Sequence, residues 1–337
     1  MELFPNAPRD PLYYELGYGQ LTEVGKNRAL QLGTLLNTRY HGLLLNDARS
    51  NGEVYAYSTD YDRTKMSLQL VLKGLYPTSS KSSVVPLHYE PRIVDSVLQG
   101  FRCSKYKDEE RKVKKSKAYQ TLMTQNSELF KFINRETGLN TSTENNPLFV
   151  TAGVYNVFAS EKSMNISLPT WATEEIQQKI ETIVAIEYEL ESYTPTMKRL
   201  FGGNVVKEFI DNMDRKNVKI AGNNTKIFLY SGHELNVASF AKVHGFTEPA
   251  IPLYSSAIFV EKWRDADQEY VQMYLWTGVT EELIPYKIPY CGTKCPYDTY
   301  KSLVQEYIPT KLELDCLWND VTKKILQNYY LNTNEEK

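Results

Sequence analysis

The order of the predicted elements in this chain of 337 residues indicates an α/β protein. A helix, a short strand and a second helix follow one another between about residues 21 and 75, and a strand followed by a helix recurs between about 226 and 244. Charged, largely helical sequence separates these two parts. We therefore predict a mixed, mostly parallel sheet with helices on both faces and an inserted helical cap.

Apolar periodicity and capping residues predict the individual elements. Thr22 is the expected N-cap of a helix that runs to about Tyr40, and residues 53–58 form a strand. Thr59 and Asp60 are expected to cap the next helix. The later elements are helices over about 104–117, 173–193 and 234–244, and strands over 226–231, 257–263 and 269–276.

The change of composition also predicts the domain organisation. Residues 1–94 and 211–337 would form a discontinuous α/β core, and residues 95–210 would form the helical cap. The glycine pair Gly202–Gly203 stands ahead of a further helical stretch, where the chain would return to the core.

Composition excludes two classes of function. The 39 basic and 41 acidic side chains give a net charge of −2, so the chain has no basic field for nucleic acid. No run of about 18 apolar residues is present, which excludes a membrane-spanning helix. Composition otherwise indicates an ordinary globular protein.

The four cysteines indicate two disulfides. Cys291 and Cys295 lie in a short loop between prolines, where a local bridge would close a turn; a zinc site is the weaker interpretation because no second pair of ligands is nearby. Cys103 and Cys316 would then pair across a long loop.

Three sequons, at Asn140, Asn165 and Asn223, add to the cysteines and favour a secretory compartment. The first residues are polar and rich in proline and do not form a signal peptide. The mature chain is therefore cytosolic, or its front end is missing, and we favour the second interpretation.

Two predicted junctions from strand to helix carry side chains that suit an anion site, because ligands of open α/β sheets bind at the carboxyl ends of the strands. In the first junction, Arg63 lies in the opening turn of a helix, where a guanidinium can contact phosphate oxygens. The alternative, an ion pair with Asp60 or Asp62 on the surface, is equally consistent with the sequence.

The second junction has the sequence YSGHE and brings His233 and Glu234 to the end of a strand. His233 could donate to an anionic ester, and Glu234 could act as a general acid toward a leaving alkoxide. A His-Glu pair by itself is more often a helix cap and a surface carboxylate.

Several separate blocks of the chain resemble the histidine acid phosphatases, of the prostatic, lysosomal and insect type. The blocks are GQLTEVG at 19–25, YSTDYDRTKMS at 57–67, LPTWATE at 168–174, YSGHE at 230–234 and CGTKCP at 291–296, in the family's order over nearly the whole chain. The resemblance implies an α/β fold, a metal-free phosphatase without a cofactor, a phosphomonoester substrate, the two disulfides above and a possible homodimer.

The resemblance also implies roles for the residues that match. Arg63 would bind phosphate, and His233 would bind phosphate and stabilise charge on the transferred group. Glu234, where the family usually has Asp, would protonate the leaving oxygen and later activate water. In this family a histidine in an RHGxRxP segment attacks phosphorus and forms a phosphohistidine.

No such segment is present in this chain. Of the four histidines, His41 follows Arg39 and Tyr40 near the end of a helix and is a decoy; we expect His88 and His244 to be structural. The first five residues resemble the family sequence that follows the missing segment, so we expect a truncated phosphatase that also lacks the first strand.

The predicted function is therefore a secreted or lysosomal acid phosphatase whose present chain is inactive. The alternative is a pseudophosphatase that binds phosphorylated ligands without hydrolysing them. A third interpretation, an interaction or allergen-like protein that uses only the scaffold, has no positive support in the sequence.

Overall fold

The structure is a computed structural model that describes residues 4–7, 17–44, 52–77, 85–140, 146–216, 222, 224–279 and 282–316. Its helices and strands form a mixed α/β arrangement, as the sequence predicts. The bounds are α1 Glu23–Tyr40, β1 Val54–Ser58, α2 Asp62–Leu75, β2 Leu87–His88, α3 Ser104–Lys115, α4 Lys117–Gln125, α5 Ser127–Thr137, α6 Pro147–Ser163, α7 Glu174–Leu190, α8 Pro195–Leu200, α9 Gly202–Met213, β3 Ile227–Ser231, α10 Glu234–Val243, β4 Ala257–Asp265, β5 Gln268–Trp276, β6 Ile284–Pro285, β7 Cys295–Pro296, α11 Tyr297–Val304 and α12 Lys311–Leu314.

The described strands form two sheets. The first is parallel, in the order β2-β1-β3, and the second is antiparallel, with β5 between β4 and β6 and also paired with β7. Among the described residues, one edge of β3 and one edge of β4 have no strand partner. A cavity of about 1290 Å³ is lined by both of these strands and by α1 and α2.

The cap of the first helix is confirmed, but that of the second is not where the sequence predicts it. Thr22 accepts a hydrogen bond from the backbone N–H of Gly25, three residues into α1. The N-cap of α2 is Tyr61, which makes no side-chain cap. The prediction of Thr59 and Asp60 was wrong because their side chains have other partners, described below.

The helices α3 to α9 pack through several hydrophobic clusters rather than one. Ile180 and Val184 of α7 share a cluster with α6, and Ile183 faces α4 and α5. Helix α9 instead joins the cluster that contains β5, α10 and α11. The boundaries of the predicted cap at residues 95 and 210 stay a prediction.

The glycine pair Gly202–Gly203 allows α9 to approach two other segments closely. A Cβ atom at Gly202 would lie 2.2 Å from the carbonyl oxygen of Ser239 in α10, and one at Gly203 would lie 1.9 Å from the carbonyl oxygen of Tyr307. Any side chain at these positions would push α9 off the core, so the pair is needed for this packing.

Both predicted disulfides are present. Cys103 and Cys316 are joined over 213 positions of sequence with their Cα atoms 5.6 Å apart, and Cys291 and Cys295 over four positions with a Cα separation of 5.2 Å. The first bridge lies in a buried cluster with Tyr106 and connects the start of α3 to the end of α12.

One buried and one half-buried carboxyl group lie where α7 ends against α3 and α6. Glu187 accepts a hydrogen bond from the side-chain amide of Asn146 at 3.3 Å, and Glu191 accepts one from the hydroxyl of Tyr106. Burial, followed by repulsion from Glu191, raises the pKa of Glu187 to about 8. Glu187 is therefore protonated in the native protein at mildly acidic pH.

The Glu187→Gln variant is expected to gain stability relative to wild type as the pH rises from 5 to 8. The unfolded chain releases this proton near the ordinary pKa of 4.5 and the native chain only near 8, so the free energy of unfolding falls as pH rises across that window. Urea titrations of wild type should show this loss, of the order of 3 kcal/mol, and Glu187→Gln should remove it. Glu181→Gln, an exposed change on the same helix, should retain it; an equal profile for both variants would contradict the assignment.

Candidate active site

The two predicted junctions lie side by side at the carboxyl end of the parallel sheet. Strands β1 and β3 pair in register, so that Ser58 is opposite Ser231. The backbone N–H of Thr59 then donates to the carbonyl of Ser231 at 3.0 Å, and the Ser231 hydroxyl donates to the carbonyl of Thr64 in α2 at 2.8 Å. These bonds fix the first turn of α2 against the segment that carries His233.

Arg63 and His233 are in direct contact. A terminal guanidinium nitrogen of Arg63 lies 3.3 Å from Nδ1 of His233, and the Thr59 hydroxyl lies 3.2 Å from Nε2. Because a guanidinium can only donate, Nδ1 accepts, and the proton of the neutral ring is on Nε2, which donates to Thr59. The Arg63 side chain therefore contacts His233, and no ion pair joins it to Asp60 or Asp62 in the described part of the chain.

The surroundings of His233 are positively charged. Burial, followed by the charges of Arg63, Arg102 and Arg92, lowers the pKa of His233 to about 4. The imidazole is therefore neutral above that pH while no anion is bound. An anion placed here would offset the repulsion between the cations and favour the protonated ring.

Tyr61 is an aromatic neighbour shared by three of these groups. Its ring meets that of His233 edge to face at a centroid separation of 4.8 Å. The guanidinium carbons of Arg63 and Arg92 lie 4.5 and 4.1 Å from the Tyr61 ring centroid. Sequence reasoning missed Tyr61 and Arg92; Tyr61 lies inside the motif at 57–67, whereas Arg92 has no motif around it.

The backbone of His233 is held by a side chain of the helix that follows. The N–H of His233 donates to Oδ1 of Asn236 at 2.8 Å, and the amide nitrogen of Asn236 donates to the carbonyl of Leu98 at 2.8 Å. A Cβ at Gly232 would lie 2.5 Å from that same Oδ1. The glycine in the YSGHE motif therefore leaves room for the amide that orients His233.

Glu234 is the first residue of α10 and lines the same cavity as Arg63 and His233. Its charge adds to burial in raising the pKa of Tyr188 and Tyr254. Glu234 is half-buried and lies within electrostatic range of these tyrosines, and its role as a proton donor stays a prediction.

The other three histidines are in no contact with Arg63 or His233. His41 is the C-terminal cap of α1 and contacts the carbonyl of Thr38. His88, in β2, stacks on Tyr55. His244 is buried, with one ring nitrogen 2.8 Å from the Phe240 carbonyl and the other 3.0 Å from the Tyr300 hydroxyl.

Two of the three sequons are on the described surface. Asn140 and Asn165 are exposed, and Asn223 lies outside the described residues. No group of three or more His, Cys, Asp or Glu side chains in the described ranges could hold a metal ion. None of the helices described is long and apolar enough to cross a membrane.

Comparison with known proteins gives the family. The model of the histidine phosphatase superfamily (branch 2) matches residues 2–275. The chain belongs to this family. The histidine phosphatase region therefore includes both junctions and the Arg63–His233 contact.

Relatives within the superfamily include acid phosphatases. The chain is 32% identical to the venom acid phosphatase Acph-1 of Apis mellifera, over 92% of this chain and 82% of that protein. It is 30% identical to the lysosomal acid phosphatase of Xenopus laevis (93% and 74% covered) and 27% identical to the human prostatic acid phosphatase (94% and 84%). This homology supports phosphomonoester hydrolysis.

Solved structures of the same fold include bacterial phytases. The phytase from Citrobacter braakii superposes with a TM-score of 0.67 at 15% sequence identity and with 93% of each chain covered. The Hafnia alvei phytase in complex with tartrate gives 0.66 at 17% identity, with 91% of each covered. These similarities show that the chain has the same fold as these phytases.

Proposed function

We propose that this histidine phosphatase acts on phosphate monoesters, with Arg63 and His233 holding the phosphoryl group. The observation that carries the proposal is their contact at 3.3 Å, where the carboxyl ends of β1 and β3 meet. A phosphate between them would receive charge-assisted hydrogen bonds from the guanidinium and from a protonated imidazole. Glu234, next to His233, would protonate the leaving oxygen as the P–O bond breaks.

The route through a phosphohistidine needs an attacking histidine as well as His233. His41, His88 and His244 are unsuitable, because each is engaged elsewhere in the fold. The 337 residues therefore account for phosphate binding and leaving-group protonation, but not for nucleophilic attack. For this reason we keep a second candidate function, a pseudophosphatase that binds phosphorylated ligands and does not hydrolyse them.

Calorimetric titration with orthophosphate at pH 5.5, together with an assay of p-nitrophenyl phosphate, tests both proposals. We expect orthophosphate to bind, and His233→Ala to remove most of the binding. Binding without turnover, which we expect of these 337 residues because no second histidine faces the bound phosphate, would favour the pseudophosphatase. Turnover that is lost in His233→Ala would favour the phosphatase. His88→Ala is the matched control and should bind orthophosphate like wild type.

Two outcomes would contradict the proposals. Failure of wild type to bind orthophosphate would exclude the Arg63–His233 site. Turnover that is lost in His41→Ala but retained in His233→Ala would show that attack takes place elsewhere in the fold.

We further propose that the protein is secreted or lysosomal. Two disulfides, exposed sequons at Asn140 and Asn165, and relatives named venom and lysosomal acid phosphatases support an oxidising compartment. Peptide mapping after glycosidase treatment would test the modification of both asparagines. The homodimer stays a prediction.

A further inference from the structure

A fully buried carboxyl group, that of Asp95, lies in the segment between β2 and α3. Its Oδ1 accepts hydrogen bonds from the backbone N–H groups of Val97 and Leu98, at 3.1 and 2.9 Å, and from the Tyr57 hydroxyl at 3.0 Å. An aspartate that accepts from the N–H groups two and three residues ahead fixes the backbone of the turn that it opens. Asp95 therefore determines where the Leu98 carbonyl lies.

The Leu98 carbonyl connects this turn to His233. It accepts the amide N–H of Asn236 at 2.8 Å, and Oδ1 of the same amide accepts the backbone N–H of His233 at 2.8 Å. An amide with one end held in this way cannot exchange its oxygen and nitrogen, so the oxygen stays turned toward His233. Three hydrogen bonds of 2.8 to 2.9 Å thus lead from Asp95 to the backbone of His233.

The Tyr57 hydroxyl gives Asp95 a second connection to the site. Tyr57 lies in β1, two residues ahead of Thr59. The Thr59 hydroxyl is 3.2 Å from Nε2 of His233, and its backbone N–H donates to the carbonyl of Ser231 at 3.0 Å. The same carboxyl oxygen therefore contacts the strand that leads to one junction and the turn that supports the other.

We propose that Asp95 is a positioning residue, which holds His233 against Arg63 in the phosphate-binding orientation through Leu98 and Asn236. This inference rests on the proposed function. Asp95 does not line the cavity, so it acts on a bound phosphate only through these other residues. The contact between Arg63 and His233, at 3.3 Å, is already longer than a typical hydrogen bond, and a small displacement of His233 would break it.

Replacing Asp95 by alanine and by asparagine tests the proposal. Asp95→Ala should weaken orthophosphate binding about tenfold, the effect of losing one hydrogen bond. It should also raise the pKa of His233 from about 4 toward the ordinary 6.5, because the ring would move away from Arg63. Oδ2 of Asp95 has no hydrogen-bond partner, so asparagine can keep all three bonds through its carbonyl oxygen. Asp95→Asn should therefore resemble wild type in calorimetry and in the NMR titration of His233.

Two further variants separate positioning from general stability. Thr137 is a fully buried side chain at the end of α5 that accepts the backbone N–H of Leu139 at 3.1 Å. Thr137→Ala should lower the free energy of unfolding without changing the affinity for orthophosphate or the pKa of His233. In an Asn236→Ala background, Asp95→Ala should cost no further affinity, because the connection to His233 is already broken.

The possible failures can be told apart. The positioning role is excluded if Asp95→Ala changes only stability, if Asp95→Asn loses as much affinity as Asp95→Ala, or if the effects of Asp95→Ala and Asn236→Ala add in full. If wild type binds no orthophosphate, the proposed function fails, whereas the pKa of His233 in the variants still tests the positioning.

A measurement on wild type covers the case in which Asp95→Ala does not fold. In native-state hydrogen exchange, orthophosphate should protect the N–H groups of Leu98 and His233 equally, because both belong to one connected set of hydrogen bonds. The N–H of Leu139 should gain no protection. Protection of His233 alone would overturn the proposal.

Discussion

Replacing Arg63 by alanine is expected to weaken orthophosphate binding by about ten- to a hundredfold, the effect of losing one hydrogen bond between charged groups. The same change should raise the pKa of His233, because Arg63 is the largest charge that lowers it and also donates to Nδ1. Calorimetry gives the affinity, and NMR titration of the ring protons gives the pKa. Two independent readouts therefore report on one contact.

Control variants separate this expectation from general damage to the fold. Arg135→Ala removes an arginine that lies over an aromatic ring outside the site, so it should change neither readout. A fall in affinity without a change in the pKa of His233 would contradict the direct contact between the two side chains.

Removing the bridge between Cys103 and Cys316 is expected to give the largest loss of stability of any disulfide change in the chain. In the loop-entropy model, a closed loop of this length restricts the unfolded chain by roughly 5 kcal/mol. The Cys103→Ala, Cys316→Ala double variant should therefore unfold at a clearly lower concentration of urea than wild type under oxidising conditions.

The second bridge provides the matched control. Cys291→Ala with Cys295→Ala opens a loop of only four positions, for which the same model gives about 2 kcal/mol. If the two double variants unfold at the same urea concentration, loop length does not determine the contribution of the bridges. Reduced wild type should resemble a protein that lacks both bridges.

Helix ends set by nearby sequence could be predicted, whereas side-chain contacts between distant segments, such as those of Thr59, could not. The Thr22 cap and the bounds of α1 follow from a short stretch of chain, and the structure confirms them. The prediction that Thr59 caps α2 was wrong because the Thr59 hydroxyl contacts His233, a residue 174 positions away. A local rule cannot foresee a partner that only the parallel pairing of β1 and β3 brings close.

The candidate site also contains residues that motifs predict and a residue that only the structure reveals. Motifs located Arg63, His233 and Glu234, and the fold brings them to one cavity. Arg92 was missed because its neighbours in sequence form no pattern, and only its position over Tyr61 reveals it. The choice between a surface ion pair and a place in the anion site for Arg63 also needed the structure, in which Arg63 contacts His233 and the nearby Asp60 carboxylate pairs with Lys65.

The long disulfide also determines what a protease can do to this protein. A cut at any peptide bond between residues 103 and 316 leaves the two pieces covalently joined. Arg63 would remain on the leading piece, and after a cut ahead of His233 that residue would be on the trailing piece, still tethered through Cys316. A nicked molecule would therefore migrate as one species on a non-reducing gel and as two after reduction, with both halves of its phosphate site retained.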